Sequence, residues 1–425
     1  MNIPDTSAKR IVIIGGGFGG ISLAKKLGRL ALQVVLIDRH NYHTFQPLLY
    51  QVSTSGLEPD SIAYPIRKVL KRLDNFHFRL TSVEHIDTAK QEIHSAIGKL
   101  TYDYLVIATG TKTNFFGNTR IETNAMPMKT VPQALNIRSL MLQNFERADD
   151  CEREEDRKAL LRFCIVGAGP TGVELAGAFA ELKRHVFPKD YRHLNVSEME
   201  IHLFEGGARV LSPMSERSSK KASLFLENLG VKVHVHTIVQ DYDGDVLQLK
   251  DGTTMRTKNL IWAAGVTGAT IDGFETAQLM DRLNRYKVNG FSQIEGFENI
   301  FAIGDVAYME TAEYPKGHPQ VAQPAIQQGE HLAKNLNLLL QGKDMKPFSY
   351  FDKGTLATIG RNRAVADLGK LKFGGFFAWF IWIFVHLAAL VGFRNKVVVL
   401  FNWAYNYINY DKAARLIVRP FTRKV

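Results

Sequence analysis

Two glycine-rich turns lie in this one chain, and each follows an apolar run. Ile11-Val12-Ile13-Ile14 leads into Gly15-Gly16-Gly17-Phe18-Gly19-Gly20. Phe163-Cys164-Ile165-Val166 leads into Gly167-Ala168-Gly169-Pro170-Thr171-Gly172. A strand that passes through such a turn into a helix uses its first glycine for the sharp reversal. The second lets the backbone approach a pyrophosphate, and the third lets the helix pack close to the strand. Gly15, Gly17 and Gly20 fill these places in one turn, and Gly167, Gly169 and Gly172 in the other. The start of each helix then offers unpaired N–H groups to an anion. The chain is therefore expected to fold as two parallel-sheet α/β units, each shaped for a dinucleotide.

The following strand sharpens this reading, because a dinucleotide site needs an acidic residue at its end for the ribose hydroxyls. Gln33-Val34-Val35-Leu36-Ile37 ends in Asp38, and Glu200-Ile201-His202-Leu203-Phe204 ends in Glu205. A carboxylate at Glu205 bonds a free 2′-hydroxyl and repels a 2′-phosphate, which favours NADH over NADPH. Arg209, four residues on, works against that preference. Two dinucleotides on one chain suggest electron transfer from one to the other.

Composition narrows the chemistry. At 425 residues, two or three domains are expected. The only cysteines are Cys151 and Cys164, in no C-x-x-C pattern. A disulfide framework, a zinc site and dithiol redox chemistry are poorly supported, and no metal-ligand spacing is present. Residues 1–10 have no apolar core and run directly into the first strand, so the chemistry is expected to face a cytoplasm. The net charge is +11, but 13 Lys and Arg against three Asp from Lys346 onward carry +10 of it. A near-neutral body with a basic tail does not suit nucleic acid.

Three more apolar runs stop at small residues: Tyr104 to Gly110, Leu260 to Gly265, and Asn299 to Gly304-Asp305. The order of glycine turn, Ala-Thr-Gly, glycine turn, Ala-Ala-Gly and Gly-Asp resembles the flavoprotein disulfide-reductase superfamily with two dinucleotide-binding domains. That resemblance implies FAD on the first turn and NADH on a second domain inserted into the first. FAD would take Gly15, Gly17, Phe18, Gly20, Asp38, Thr109, Gly110, Gly304 and Asp305. NADH would take Gly167, Gly169, Gly172, Glu174, Glu205 and Gly265.

The segments Asn41-Tyr42-His43-Thr44-Phe45-Gln46-Pro47-Leu48-Leu49-Tyr50 and Ala322-Gln323-Pro324-Ala325-Ile326-Gln327 carry a closer resemblance, to type II (non-proton-pumping) NADH:quinone oxidoreductases. It implies that Ala322, Gln323 and Gln327 line a quinone site, and that Glu174 lies between nicotinamide and flavin and affects hydride transfer. By their spacing alone, Gln323 and Gln327 share one helical face, and Pro324 suits a first helical turn. The expected organisation is an FAD domain from 1–120 and 286–345, an NADH domain from 121–285, and an anchor from 346–425. The expected reaction is NADH oxidation with quinone reduction through FAD. A sulfide:quinone oxidoreductase is the rival enzyme, although it needs cysteines beside the flavin. A non-catalytic NAD(H)-sensing membrane flavoprotein is the rival of another class.

The tail suggests a lipid surface. Residues 373–393 are apolar apart from His386 and long enough to span a bilayer. Residues 397–410 place Asn402, Asn406 and Asn409 at helical spacing, with Trp403, Tyr405, Tyr407 and Tyr410 as interfacial aromatics. A single crossing would put Arg394, Lys396, Lys412, Arg415, Arg419, Arg423 and Lys424 outside, against the positive-inside bias. Helices lying on the cytoplasmic face of the inner membrane are the expectation, with a span as the alternative; a homodimer is also compatible. His43 and His386 are expected to be structural or interfacial.

Overall fold

In the computed structural model, residues 1–28, 30–274, 277–409, 412 and 414–417 are described. The chain divides into two compact units. One comprises Met1–Thr44, Ala63–Lys112 and Val266–Asp352; the other comprises Phe45–Ile62, Thr113–Gly265 and Lys353–Val425. The C-terminal residues thus fall in the same unit as the second glycine turn.

Each unit is built on a parallel five-stranded sheet with a glycine-turn strand at its centre. In the first, Arg10–Ile14 lies between Gln33–Asp38 and Tyr104–Ile107, with Phe76–Leu80 and Ile300–Ala302 outside. Alternate residues of these strands point to opposite faces. Val12, Ile14, Val35, Ile37, Leu105 and Ile107 therefore build one core layer, while Ile11, Ile13, Val34, Leu36 and Val106 build the other. Burial on both faces explains why the strands read as unbroken apolar runs. In the second unit Arg162–Val166 is central, flanked by Glu200–Phe204 and Asn259–Trp262, with Lys232–His234 and Met126–Pro127 outside.

The helix after each turn covers its sheet: Phe18–Leu27 in the first unit and Pro170–His185 in the second. The first is crossed by the helix Ala322–Leu340 at glycine distance. A methyl group at Gly329 would stand 2.5 Å from the Gly19 carbonyl oxygen.

The C-terminal region adds an antiparallel sheet of Thr355–Thr358, Ala364–Leu368 and Leu371–Gly374, then two helices. The apolar run from 373 to 393 is not one helix. Phe373 and Gly374 end a strand, and Gly375, at φ 106°, caps a helix over Phe376–Ala389 alone. Its 14 residues extend about 21 Å, short of a hydrocarbon core of about 30 Å. Among the described residues no helix is long and apolar enough to cross a membrane.

The last helix is Phe393–Asn409. Asn406 turns inward and donates to the Gly56 carbonyl at 3.3 Å, while Asn395 donates to that of Asp60 at 3.0 Å. These amides, with buried Val399 and the Trp403 indole, form the docked face. Leu400, Phe401, Tyr405 and Ile408 form the exposed one. Tyr410, Arg419, Arg423 and Lys424 lie outside the described residues.

Asp367 ties the C-terminal sheet to the helix Glu216–Asn228. It accepts from the Ser215 amide at 2.6 Å, the Ser215 hydroxyl at 2.9 Å and the Ser218 hydroxyl at 2.7 Å. Burial alone would raise its pKa, but these donors outweigh burial and hold it below the ordinary value. A depressed carboxyl stabilises the fold above its unfolded pKa and loses that contribution as pH falls through the folded one. Asp367→Ala is expected to cost about 2 kcal/mol at neutral pH, with a smaller loss for Asp367→Asn. Thermal denaturation of both variants checks the order.

Candidate active site

The two glycine turns have the same construction in detail. The Gly15 amide donates to the Ile37 carbonyl at 2.8 Å, and the Gly167 amide to the Phe204 carbonyl at 2.8 Å. Gly15 and Gly167 take left-handed φ values of 111° and 99°. A methyl group at Gly20 would stand 1.9 Å from the Gly15 oxygen, and one at Gly172 would stand 1.9 Å from the Gly167 oxygen. At Gly17 and Gly169, by contrast, an added methyl group would meet nothing within 4 Å. The first and third glycines are closed against protein, and the middle one faces open space on the side where a phosphate approaches.

Asp38 and Glu205 are equivalent as well. One oxygen of Asp38 accepts from the Gly16 amide at 2.6 Å, and one of Glu205 from the Ala168 amide at 2.8 Å. The second oxygens accept from His40 at 2.7 Å and Gly207 at 2.7 Å. Each carboxylate is thus locked to the second residue of its turn, with acceptor capacity left for hydroxyls. Neither phosphate helix has a side-chain cap or an acidic residue in its first turn. Two uncapped helix starts, two open middle glycines and two oriented carboxylates fit two dinucleotides. Arg209 does not blur the second site: its guanidinium donates to the carbonyls of Met214 at 2.8 Å and Ser212 at 2.7 Å.

The rest of the expected flavin site lies in the first unit. Thr109 has a buried hydroxyl with no protein partner, which suits a ligand contact. Gly110 and Gly304 take φ values of 70° and 72°. Asp305 receives the Thr111 hydroxyl at 3.5 Å, and its carbonyl accepts from the Gln320 side chain at 2.9 Å. Phe18 packs edge-on against His43 at 5.0 Å. The Nδ1 of His43 bonds the Gly16 carbonyl at 3.0 Å, and burial lowers its pKa, so the ring is a neutral brace for the turn. In the second unit Gly265 takes φ 71° beside the Phe116 ring.

Ala322, Gln323 and Gln327 lie at the start of the helix Ala322–Leu340, with Pro324 in its first turn. The side chain of Gln327 is bonded to the backbone of a following segment. Its amide donates to the Phe351 carbonyl at 2.9 Å and accepts from the Phe351 amide at 3.0 Å. Its neighbour Gln328 is buried and accepts from the Gly304 amide at 2.7 Å, so the helix holds the Gly-Asp turn directly. The sequence offered no signal that separates Gln328 from Gln327, or that couples Gln320 to Asp305.

Glu174 is buried on the helix Pro170–His185. Desolvation raises its pKa to about 8, so it holds a proton at neutral pH. The Thr358 amide lies 3.4 Å from Oε1, and the Trp382 indole also favours the ionised form without making a hydrogen bond of ordinary geometry. Sequence spacing could not show that the C-terminal sheet and helix close this pocket.

The model of the pyridine nucleotide-disulphide oxidoreductase family matches residues 9–329, and that of the NDH2 C-terminal domain matches 353–409. The type II NADH:quinone oxidoreductase Ndh of Mycobacterium tuberculosis is 39% identical over 94% of this chain and 88% of its own length. NdhA of the same organism is 37% identical, over 94% and 87%. The fold is shared with the NDH2 of Plasmodium falciparum in complex with NADH, at a TM-score of 0.89 and 22% identity, covering 97% of this chain and all of that one. It is also shared with the sulfide:quinone oxidoreductase of Aquifex aeolicus, at 0.73 and 20%, over 97% and 96%. Because close sequence identity extends over nearly the whole chain, from the first glycine turn to the last helix, the protein belongs to the type II NADH:quinone oxidoreductase family.

Proposed function

We infer that this chain oxidises NADH and reduces a quinone through FAD, without proton pumping. The observation that carries the reading is the duplicated site: two turns of one geometry, each with its own oriented carboxylate, in a chain that ends in exposed aromatic helices. FAD, when bound, accepts the hydride from NADH and passes the electrons on. We assign FAD to the first turn, with Gly15, Gly17, Phe18, Gly20, Asp38, Thr109, Gly110, Gly304 and Asp305. We assign NADH to the second, with Gly167, Gly169, Gly172, Glu205 and Gly265.

The sulfide:quinone alternative finds no support in the thiols. Both cysteines lie in the second unit, and Cys164 is buried within a strand, with its thiol pushed up to about 12 by desolvation.

Gln323 is our candidate quinone contact, with Ala322 beside it and Gln327 holding the helix in place. Glu174 is the buried acid of the NADH unit, and its task is to hold a proton near neutral pH. The membrane surface is the proposed partner of the two C-terminal helices. Phe377, Phe380 and Phe384 project from one of them and Phe401 and Ile408 from the other, all more than half exposed. Arg394 and Lys396 lie in the first turn of the last helix, and Lys372 on the strand that precedes the other, where anionic head groups favour them. We place the protein on the cytoplasmic face of the inner membrane, with the helices in the lipid surface rather than across it.

Three outcomes test these assignments. Gln323→Ala should slow quinone reduction about tenfold, the equivalent of one lost hydrogen bond, while anaerobic flavin reduction by NADH stays nearly unchanged. An equal fall in both steps would refute the quinone assignment. Replacing Phe377, Phe380 and Phe384 together by Ser should lower binding to anionic vesicles at least tenfold, with each ring contributing on the order of 1 kcal/mol. Turnover with a soluble quinone should persist, and undiminished vesicle binding would defeat the anchor. Finally, a carboxyl with a raised folded pKa opposes folding once pH exceeds its unfolded value of 4.5, and increasingly so up to about 8. Glu174→Gln should therefore melt higher than the parent at pH 8, with the difference shrinking toward pH 4.

A further inference from the structure

The sheet of the second unit fixes the direction in which a dinucleotide crosses it. Arg162–Val166 is central, with Glu200–Phe204 on one side, leading to Glu205, and Asn259–Trp262 on the other. A dinucleotide with its pyrophosphate at Gly167–Gly172 and its adenosine ribose at Glu205 sends its other half past the carboxyl end of Asn259–Trp262. The backbone is continuous there. The Ala263 amide donates to the Val166 carbonyl at 2.8 Å, and a methyl group at Gly167 would stand 2.7 Å from the Ala264 α-carbon. Gly265 is the next residue.

Phe116 stands beside Gly265. The three atoms nearest to a notional methyl group at Gly265 all belong to the Phe116 ring, the closest at 2.7 Å. The Phe116 residue is 68% exposed, and its φ of 52° is a left-handed conformation that a bulky residue rarely adopts. Local bonds hold it there. The Phe116 amide donates to the Asn114 side-chain oxygen at 2.8 Å, and the Asn114 amide donates to the Gly265 carbonyl at 3.3 Å. The Trp262 indole donates to the Asn114 carbonyl at 2.9 Å. Phe115 packs against the core, with its ring 6.0 Å from that of Trp262, whereas Phe116 meets Trp262 edge-on at 6.3 Å. One residue of the pair thus anchors the segment. The other is held in a strained backbone that directs a large apolar ring outward, and such strain without a packing gain points to a ligand.

We propose that Phe116 is an aromatic wall for the nicotinamide half of NADH, its ring stacking on the nicotinamide that passes Gly265. This rests on the assignment of NADH to the second turn. The nicotinamide is a flat ring, and ring pairs in offset or edge-on contact gain beyond the area they bury. The missing side chain at Gly265 brings the Phe116 ring directly against the backbone over which that half of the cofactor runs. The wall serves one half only, because Glu205 and Phe116 lie on opposite sides of the central strand. Phe116 therefore distinguishes the complete cofactor from a fragment that ends at the second ribose.

The test uses the full-length, FAD-loaded protein. Anaerobic flavin reduction is followed at varied NADH, alone and in competition with ADP-ribose, which keeps the adenine, the pyrophosphate and both riboses but lacks the nicotinamide. Phe116→Ala should raise the half-saturating NADH concentration about fivefold. The inhibition constant of ADP-ribose should stay at the parent's value, which also shows that the variant is folded. Phe116→Tyr should bind NADH as the parent does, while Phe116→Leu, apolar but without a π face, should not recover the loss. An unchanged half-saturation in Phe116→Ala, an equal loss for ADP-ribose, or full recovery with Leu would overturn the proposal. If ADP-ribose fails to compete in the parent, or Glu205→Ala leaves its binding unchanged, the assignment of NADH to the second turn falls instead.

Discussion

The contact on which the structure depends most is the one between the carbonyl of the first glycine in each turn and the α-carbon of the sixth. With only 1.9 Å between a notional methyl group and that oxygen, no residue with a side chain fits at Gly20 or Gly172 without moving the helix. The contact sets the angle between central strand and phosphate helix. That angle determines where the free N–H groups point and leaves the middle glycine open. It also brings the amide of the second turn residue to the carboxylate of Asp38 or Glu205. The dinucleotide cradle is therefore not assembled from independent parts. Once the sixth residue is glycine, the strand, helix and acidic residue are locked to one another.

This explains how much of the site could be read from the sequence. Turn, strand and acidic residue are close along the chain, and each leaves a mark by residue type. The parallel sheets were equally visible, because strands buried on both faces must be apolar throughout. Gln328 and Gln320 left no such mark. Each bonds a backbone group of the Gly-Asp turn from a distant or irregular segment, and an interior glutamine looks like any other glutamine. Gln327 illustrates the same limit from the other side. Its helical spacing from Gln323 is real, yet its amide is occupied by the backbone of Phe351. Periodicity reports which face a residue shares, and the partner on that face is a tertiary fact.

The tail shows the same limit in its details. Hydropathy adds the residues from 373 to 393 into one run, but Gly374 and Gly375 divide it into the end of a strand and the start of a short helix. The side chain of a residue at Gly374 would collide with the Ala364 carbonyl, 2.8 Å away, so the strand edge itself requires the glycine that ends the apolar helix. The spacing of the asparagines in the final helix likewise gives a shared face but not its partner. In the structure Asn395 and Asn406 are turned inward, because residues 56–60 present unpaired carbonyls that need donors. A helix that docks through amides and an indole can afford apolar residues on its other side, which is the arrangement a lipid surface selects.

Glu174 brings these strands of argument together. A carboxyl this deeply buried is tolerated because it remains protonated, and among the described residues its environment offers one long amide contact and a nearby indole. On stability alone an apolar residue would serve better at that position, since an acid that ionises in the unfolded chain at neutral pH weakens the fold. Positions that break a local rule without a packing gain are where function is to be sought. The pocket is completed by a C-terminal sheet and helix more than 180 residues away in sequence, so the cost of the buried acid is met only when the tail is in place. The same segment that presents aromatic side chains to the outside is thus part of the enclosure that keeps Glu174 neutral. Removing the tail outright would change the acid as well as the proposed anchor, and substitutions on the exposed faces separate the two.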